Sequence, residues 1–182
     1  MKEKRPRSID PLRGILVALL ALPGCGWHAG LTVPEGARSV GVEVVTRAPN
    51  VLERGLEPRL TQALSQAVSD LVGLPLESPS RADFVVRGEI LNYRRRGGVR
   101  SIDNQLRESA VRIDVRATLV DRQTGKATKE VLEGLWSGYV LGDPAEERTA
   151  QNRAIRNLAE TLVLELFQPG GQKEENPGVS AE

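Results

Sequence analysis

The sequence contains very few of the side chains on which most enzyme and metal sites depend. Its 182 residues include one cysteine, Cys25, and one histidine, His28, which lies close to Cys25 in a glycine-containing segment. A zinc site needs several Cys or His ligands, and a Ser-His-Asp set needs a histidine in the folded part of the chain. The phosphate-binding motifs GxGxxG and GxxxxGK(S/T) are also absent. We therefore expect no enzymatic activity, no metal and no bound cofactor.

Aromatic residues are scarce, and charges of the two signs nearly cancel. Phe, Trp and Tyr make up 3% of the chain, so Leu, Val, Ile and Ala must form the core. The 25 Lys and Arg residues are scattered among 24 Asp and Glu residues. A near-neutral domain gives no reason to expect a nucleic acid as partner. A single cysteine also excludes an internal disulfide.

The longest apolar run is too short to cross a membrane. From Ile15 to Leu22 it would span about 12 Å as a helix, whereas the hydrocarbon core is about 30 Å thick. Basic residues precede the run, and the small residue Gly24 and then Cys25 follow it. This order is typical of an export signal, so residues 1–24 are predicted to be a signal peptide.

The end of this segment, Leu22-Pro23-Gly24-Cys25, resembles a bacterial lipobox. In such a segment a diacylglyceryl group is attached to the thiol, and the peptide is cut before the cysteine. The resemblance implies that Cys25 is the first residue of the mature chain and carries diacylglyceryl and N-acyl groups, which hold it on a membrane. Gly26, where an aspartate would favour the inner membrane, implies the outer one. The alternative is an inert, buried cysteine.

Beyond Cys25 the hydrophobic period changes, and each change marks a different element. Gly and Pro are frequent up to residue 37, so residues 25–37 are predicted to be a lipidated tether. Val40, Val42 and Val44 alternate with polar residues or glycine, which predicts a half-buried strand. An amphipathic helix with Pro58 in its first turn is then predicted to start near Gly55. Its apolar stripe is Leu56, Leu60, Ala63, Leu64, Ala67, Val68, Leu71 and Val72.

Three further strands and a second helix complete the predicted domain. The strands are expected around 84–93, 111–119 and 127–140, and Gly88 marks a bulge or a close backbone approach. Asp143 and Pro144 are predicted to open the second helix as N-cap and first helical residue. Its apolar stripe is Ala150, Ala154, Ile155, Leu158, Ala159, Leu162, Val163 and Leu166. Residues 169–182 are polar and are predicted to be a disordered tail.

The predicted order β-α-β-β-β-α is typical of an α+β fold. Two helices with one apolar face each complement a sheet with one apolar face, so residues 38–168 should form a two-layer sandwich. We expect a four-stranded mixed sheet with two helices on one face. The first two strands should be parallel, because a right-handed crossover through the first helix joins them.

The most unusual polar feature is a run of arginines around two glycines: Arg94, Arg95, Arg96 and Arg100. One interpretation is a solvated hairpin tip whose charges discourage edge-to-edge aggregation. The other is an anion site, because the planar guanidinium matches phosphate in two-point contact. A glycine-containing loop would let these four arginines, the candidate phosphate-binding residues, converge on one ligand.

Several segments of the sequence resemble the LPS-assembly lipoprotein (LptE) family. The segments that carry the resemblance are Gly24-Cys25-Gly26-Trp27-His28, Arg38-Ser39-Val40-Gly41-Val42, Gly55-Leu56-Glu57 with Leu60-Thr61 and Ala63-Leu64, and Ala82-Asp83 with Gly88 and Ile90. The family fold has the same element order as the one predicted here.

The resemblance implies an outer-membrane lipoprotein that sits partly inside the lumen of a large β-barrel, LptD, and faces the periplasm. Such a protein assists assembly of the barrel and helps to deliver lipopolysaccharide (LPS) to the outer leaflet. On this hypothesis the arginine run would meet LPS phosphates. Two alternatives stay open. One is another periplasm-facing lipoprotein, such as a peptidoglycan-synthase activator or a secretion-channel accessory, and the other is an extracytoplasmic enzyme whose site lacks histidine.

Overall fold

The computed structural model describes residues 31–98, 102–103, 108–141 and 144–169. The predicted signal peptide, Cys25, Arg100, Asp143 and residues 170–182 lie outside the described residues. The elements in chain order are β1 (Val40–Val42), β2 (Thr46–Arg47), α1 (Leu56–Leu71), β3 (Phe84–Gly97), β4 (Glu108–Asp121), β5 (Ala127–Val140) and α2 (Pro144–Leu166). This is the predicted order with one short strand added.

The strands form one mixed sheet in the order β1-β3-β4-β5. β1 runs parallel to β3, with Val40 opposite Phe84, whereas the β3–β4 and β4–β5 pairs are antiparallel. The two-residue β2 also pairs parallel to β3, farther along at Glu89 and Ile90. The predicted α+β class and the parallel first pair are confirmed. The sheet has five strands rather than four because the chain meets β3 a second time before α1.

Alternation along β4 separates the two faces of the sheet. The side chains on one face are buried and belong to a single hydrophobic core together with both helices; they are Ile113, Val115, Ala117 and Leu119. From the helices the same core receives Leu60, Leu64, Val68, Leu158, Leu162 and Leu166. Both helices therefore cover the same face of the sheet, as predicted. The opposite face, which we call the open face, carries the charged side chains of β4: Arg112, Asp114 and Arg116.

Helix α1 begins directly after Gly55, as predicted. Gly55 has a φ of +78°, a left-handed conformation that glycine adopts without a steric penalty. Pro58 lies in the first turn, where a backbone N–H would have no intrahelical acceptor, so the helix tolerates it. The helix ends at Leu71, and Gly73 with a φ of +73° reverses the chain.

The first strand is shorter than predicted. β1 ends at Val42, and Val44 is 76% exposed whereas Val45 is 2% exposed. The chain leaves the sheet here because the Val45 N–H donates to Thr61 Oγ1 of α1, at 2.9 Å. Val45 packs over Gly88, where an added Cβ would lie 2.9 Å from its Cγ2 atom. Placing Val44 on the inner face was therefore wrong, while the close approach predicted at Gly88 is confirmed.

Strand β3 is longer than predicted. It continues through the arginines to Gly97, which pairs with Ser109 of β4. The register shifts once, between Ile90 and Asn92. Arg94, Arg95 and Arg96 are therefore strand residues rather than loop residues, and their directions follow the alternation of the strand.

Residues 31–37 pack against the domain. The Thr32 N–H donates to the Phe167 carbonyl at 2.6 Å, just beyond the end of α2. Leu31, Val33 and Ala37 contact the hydrophobic core. The folded domain thus includes residues that the sequence assigned to the tether, because their apolar side chains find cover at the end of α2.

Candidate functional site

Strand alternation divides the arginine run between the two faces of the sheet. Arg95 lies opposite Val111, which is fully buried on the helix-covered side. Its neighbours Arg94 and Arg96 lie opposite Arg112 and Ala110 and point to the open face. The three consecutive arginines therefore cannot converge on one ligand.

On the helix-covered side, Arg95 is held by two carboxylates. Its Nε lies 2.7 Å from Glu147 Oε1 in the first turn of α2, and a terminal nitrogen lies 3.1 Å from Glu53 Oε2. The guanidinium also stacks 5.3 Å from the centre of the Tyr93 ring. Through these two ion pairs, Arg95 joins β3 to the segment before α1 and to the start of α2.

Tyr93 and Gln151 extend this cluster. The Tyr93 hydroxyl donates to Glu147 Oε1 at 3.0 Å and accepts from Gln151 Nε2 at 2.8 Å. Burial, together with the hydrogen bond to Glu147, raises the pKa of Tyr93 to about 12. Burial alone would raise the pKa of Glu147, but the hydrogen bonds from Arg95 and Tyr93 lower it below its ordinary value. One guanidinium faces two carboxylates here, so the cluster is a structural contact that offers no excess positive charge to an anion.

On the open face, a second and more exposed cluster surrounds Asp114. Arg94 contacts Asp114 Oδ2 at 3.1 Å, and Arg112 Nε contacts Asp114 Oδ1 at 2.6 Å. The Arg112 guanidinium also lies 5.7 Å from the centre of the Trp136 ring. Arg96 is exposed beside them, and within the described residues no carboxylate is within ion-pair distance of it. We call Arg94, Arg96, Arg112, Asp114 and Trp136 the arginine face.

The arginine face carries more positive than negative charge. Arg94, Arg96 and Arg112 share this end of the open face with two carboxylates, Asp114 and Glu108, which leaves a local charge of about +1, because arginine is always protonated in proteins. Elsewhere on the open face arginines are matched by glutamates: Arg87 pairs with Glu43 at 2.9 Å, and Arg116 with Glu89 at 3.3 Å. Among the described residues of the open face, the excess charge therefore lies at the end where β3 meets β4.

Gly134 makes room for this arrangement. It lies opposite Asp114 on β5, and an added Cβ would collide with Asp114 Oδ1 and with a terminal nitrogen of Arg112. The carboxylate and the guanidinium therefore lie across the glycine. A side chain at this position would push them off the sheet.

The sequence identified only part of this site. Arg94 and Arg96 were candidates, and the structure brings them to one face; Arg95 was a candidate and lies on the other face. Arg112 and Trp136 were missed. The alternation of Arg112 with Ile113 was visible in the sequence, but only the register of the hairpin places Arg112 opposite Arg94 and Trp136.

A surface groove of about 650 Å³ lies between α1 and α2 and is lined by Arg59, Gln62, Ala63, Gln66, Ala67, Asp70, Leu71, Asn152, Ile155, Arg156 and Glu160. Burial and the nearby Arg148 lower the pKa of Arg59. Among the described residues, no group of three or more His, Cys, Asp or Glu side chains could hold a metal ion. In the same residues, no helix has the length and apolar character needed to span a membrane.

Comparison with known families identifies the chain. The model of a lipopolysaccharide-assembly family, LptE, matches residues 38–166, which is most of the folded domain. The chain belongs to this family. The resemblance noted from short motifs is thereby confirmed, and the LptE assignment rests on the whole α+β domain rather than on isolated segments.

The chain is similar to several solved structures from bacteria. Protein XCC0632 from Xanthomonas campestris has a TM-score of 0.56 at 12% identity, over 76% of this chain and 90% of that one. A minor lipoprotein from Acinetobacter baumannii has a TM-score of 0.48 at 20% identity, over 71% and 91%. The rare lipoprotein B from Shewanella oneidensis has a TM-score of 0.43 at 11% identity, over 69% and 92%. No curated protein matches the sequence.

Proposed function

We propose that this chain is an outer-membrane lipoprotein subunit of the LPS translocon, anchored through acylated Cys25 and without catalytic activity of its own. The family match over residues 38–166 carries this proposal. The order of basic residues, apolar run, Gly24 and Cys25 supports the anchor. The partner would be the β-barrel LptD, whose assembly this subunit would assist.

The shape of the domain suits a plug inside a barrel. A wide barrel has a polar, water-filled interior that needs a folded filler. The open face of this sheet carries matched ion pairs such as Arg87–Glu43 and Arg116–Glu89, beside the exposed side chains of Leu132 and Trp136. The part of the face that carries these ion pairs can lie against a polar wall without burying unpaired charge.

The arginine face is the part of the domain that would contact LPS phosphates. Guanidinium groups bind phosphate oxygens in pairs and remain charged at every physiological pH. Arg94 and Arg112 are already oriented by Asp114, so little side-chain entropy is lost on binding. Arg95 has no part in this contact, because Glu53 and Glu147 occupy it on the opposite face.

A paired charge-removal experiment tests the LPS contact. Arg94→Gln combined with Arg96→Gln should abolish LPS co-purification, because it removes two of the three positive charges of the arginine face. The matched control is Arg87→Gln combined with Arg116→Gln, which removes the same charge from the same face but from matched ion pairs. Equal LPS recovery with both double variants would contradict the contact while leaving the plug role intact.

Crosslinking in outer membranes tests the partner. A photo-crosslinker at Leu132, which is 60% exposed on the open face, should capture a large β-barrel protein identified by mass spectrometry as LptD. Capture of a peptidoglycan synthase or of a secretion channel instead would overturn the translocon assignment in favour of another envelope lipoprotein.

A further inference from the structure

The element order gives the folded domain two distinct ends. α1 and α2 both start at the end where β3 meets β4, and both finish at the end that holds the β4–β5 turn. We call the first the hairpin end, defined by Gly97, Glu108 and Val140. The second is the tether end, defined by the turn at residues 122–126, by Phe167 and by residues 31–38.

The described chain begins at the tether end. Thr32 is hydrogen-bonded to Phe167, and Leu31 and Val33 pack against the core beside it. Five residues, 26–30, separate Cys25 from Leu31 in the sequence. Even fully extended, the link from Cys25 to Leu31 reaches only about 20 Å.

The arginine face lies at the other end. Arg95, which is flanked in the strand by Arg94 and Arg96, contacts Glu147 near the start of α2. Thr32 contacts Phe167, just past the end of the same helix. The two contacts are twenty residues apart on one continuous helix, so they are about 30 Å apart at 1.5 Å per residue.

From this placement we propose that the tether end of the domain rests on the lipid leaflet that holds Cys25, while the arginine face is held away from that leaflet. The proposal rests on the proposed acylation of Cys25. The occupant of the tether end is a lipid surface because a link of at most about 20 Å keeps Leu31 within that distance of the acylated Cys25. The ligand of the arginine face then comes from beyond the anchoring leaflet, since the rigid helix α2 separates the two.

Site-specific fluorescence quenching tests this orientation in full-length, membrane-anchored protein. Lys126→Cys marks the tether end, and Arg54→Cys marks the hairpin end, next to the Glu53 that binds Arg95. Both side chains are exposed, and native Cys25 is blocked by its acyl group. Each variant is labelled with the same fluorophore and reconstituted into phosphatidylethanolamine–phosphatidylglycerol vesicles that contain a lipid with a nitroxide headgroup. We expect loss of fluorescence at position 126 and none at position 54.

The outcomes separate the orientation from the anchor. A Cys25→Ser version of each variant should show no quenching at either position. If the anchored protein is quenched equally at both positions, or more strongly at position 54, the orientation is overturned while the anchor stands. If Cys25→Ser changes neither membrane association nor quenching, the anchor fails and the orientation fails with it.

Discussion

At the scale of single residues, Gly134 and Gly138 occupy equivalent positions on the open face of β5 but have different neighbours. A Cβ at Gly134 would collide with Asp114 and Arg112, whereas at Gly138 the nearest atom is 3.8 Å away. The two glycines therefore make a matched pair for testing how tightly the arginine face is built.

We predict that Gly134→Ala costs no more than about 1 kcal/mol, because the atoms that a methyl group would meet are the ends of the flexible Asp114 and Arg112 side chains, which can swing away from the strand and give up their present contact. Gly138→Ala should leave stability unchanged or slightly raised, since alanine restricts the unfolded chain more than glycine does. Urea denaturation followed by circular dichroism measures both. A Gly134→Ala variant that is more stable than Gly138→Ala would contradict the geometry assigned to Asp114 and Arg112.

The second prediction concerns the proton on Tyr93. Its pKa is raised from 10.0 to about 12 by burial, so the folded chain retains the proton at pH values where the unfolded chain loses it. The stability from this group is thus fully present below pH 10 and is lost as pH rises towards 12. The chain has two tyrosines, and Tyr139 also hydrogen-bonds Glu147, so the Tyr93 phenol is isolated as the difference between the wild type and Tyr93→Phe. Its ultraviolet titration should have a midpoint near 12, and a midpoint near 10 would show that the cluster with Glu147 and Gln151 is open in solution.

At the scale of elements, β4 shows how one strand serves both the core and the site. Ile113 is fully buried, while its neighbours Arg112 and Asp114 form the arginine face. Such clean alternation in the sequence made the strand and its inner face predictable. It did not reveal the neighbours of the outer side chains, because those depend on the pairing register with β3 and β5.

We predict that Ile113→Ala lowers the free energy of unfolding by about 2–5 kcal/mol, because it leaves a cavity between the sheet and the helices. Leu132→Ala removes the same kind of side chain from the exposed face of β5, where it is 60% exposed. Its cost should be within about 0.5 kcal/mol of zero. Thermal or urea unfolding of Ile113→Ala and Leu132→Ala measures both costs. A similar loss of stability in the two variants would mean that the open face is covered in solution.

Helices were predicted better than strand ends. The start of α1 at Gly55 and of α2 at Pro144 followed from backbone rules for glycine and proline, which act locally. β1 ends earlier than predicted because the Val45 N–H donates to Thr61 of α1 instead of to a neighbouring strand. β3 ends later than predicted because its arginines pair with β4. Both are contacts between distant parts of the chain, and the local periodicity of hydrophobic residues cannot predict them.

At the scale of the whole molecule, residues 31–37 connect the proposed anchor to the fold. We predict that Leu31→Ala combined with Val33→Ala lowers stability by about 1–3 kcal/mol, because both side chains are partly buried against the core. The control is Leu52→Ala, whose side chain is 86% exposed and should be neutral. Unfolding curves of the domain without its acyl anchor measure the stability of each variant. If the double variant is as stable as the wild type, residues 31–37 are a free tether.

The sequence by itself determined the α+β class, the apolar faces of both helices and of β4, and the family, because periodicity and short motifs are encoded locally. Only the tertiary structure decided which arginines act together. Consecutive residues of a strand point to opposite faces, so Arg95 lies on the helix-covered face. Arg94 and Arg96 lie on the open face together with Arg112 of the next strand. That selection depends on hairpin register, a property of two strands at once and of neither sequence segment alone.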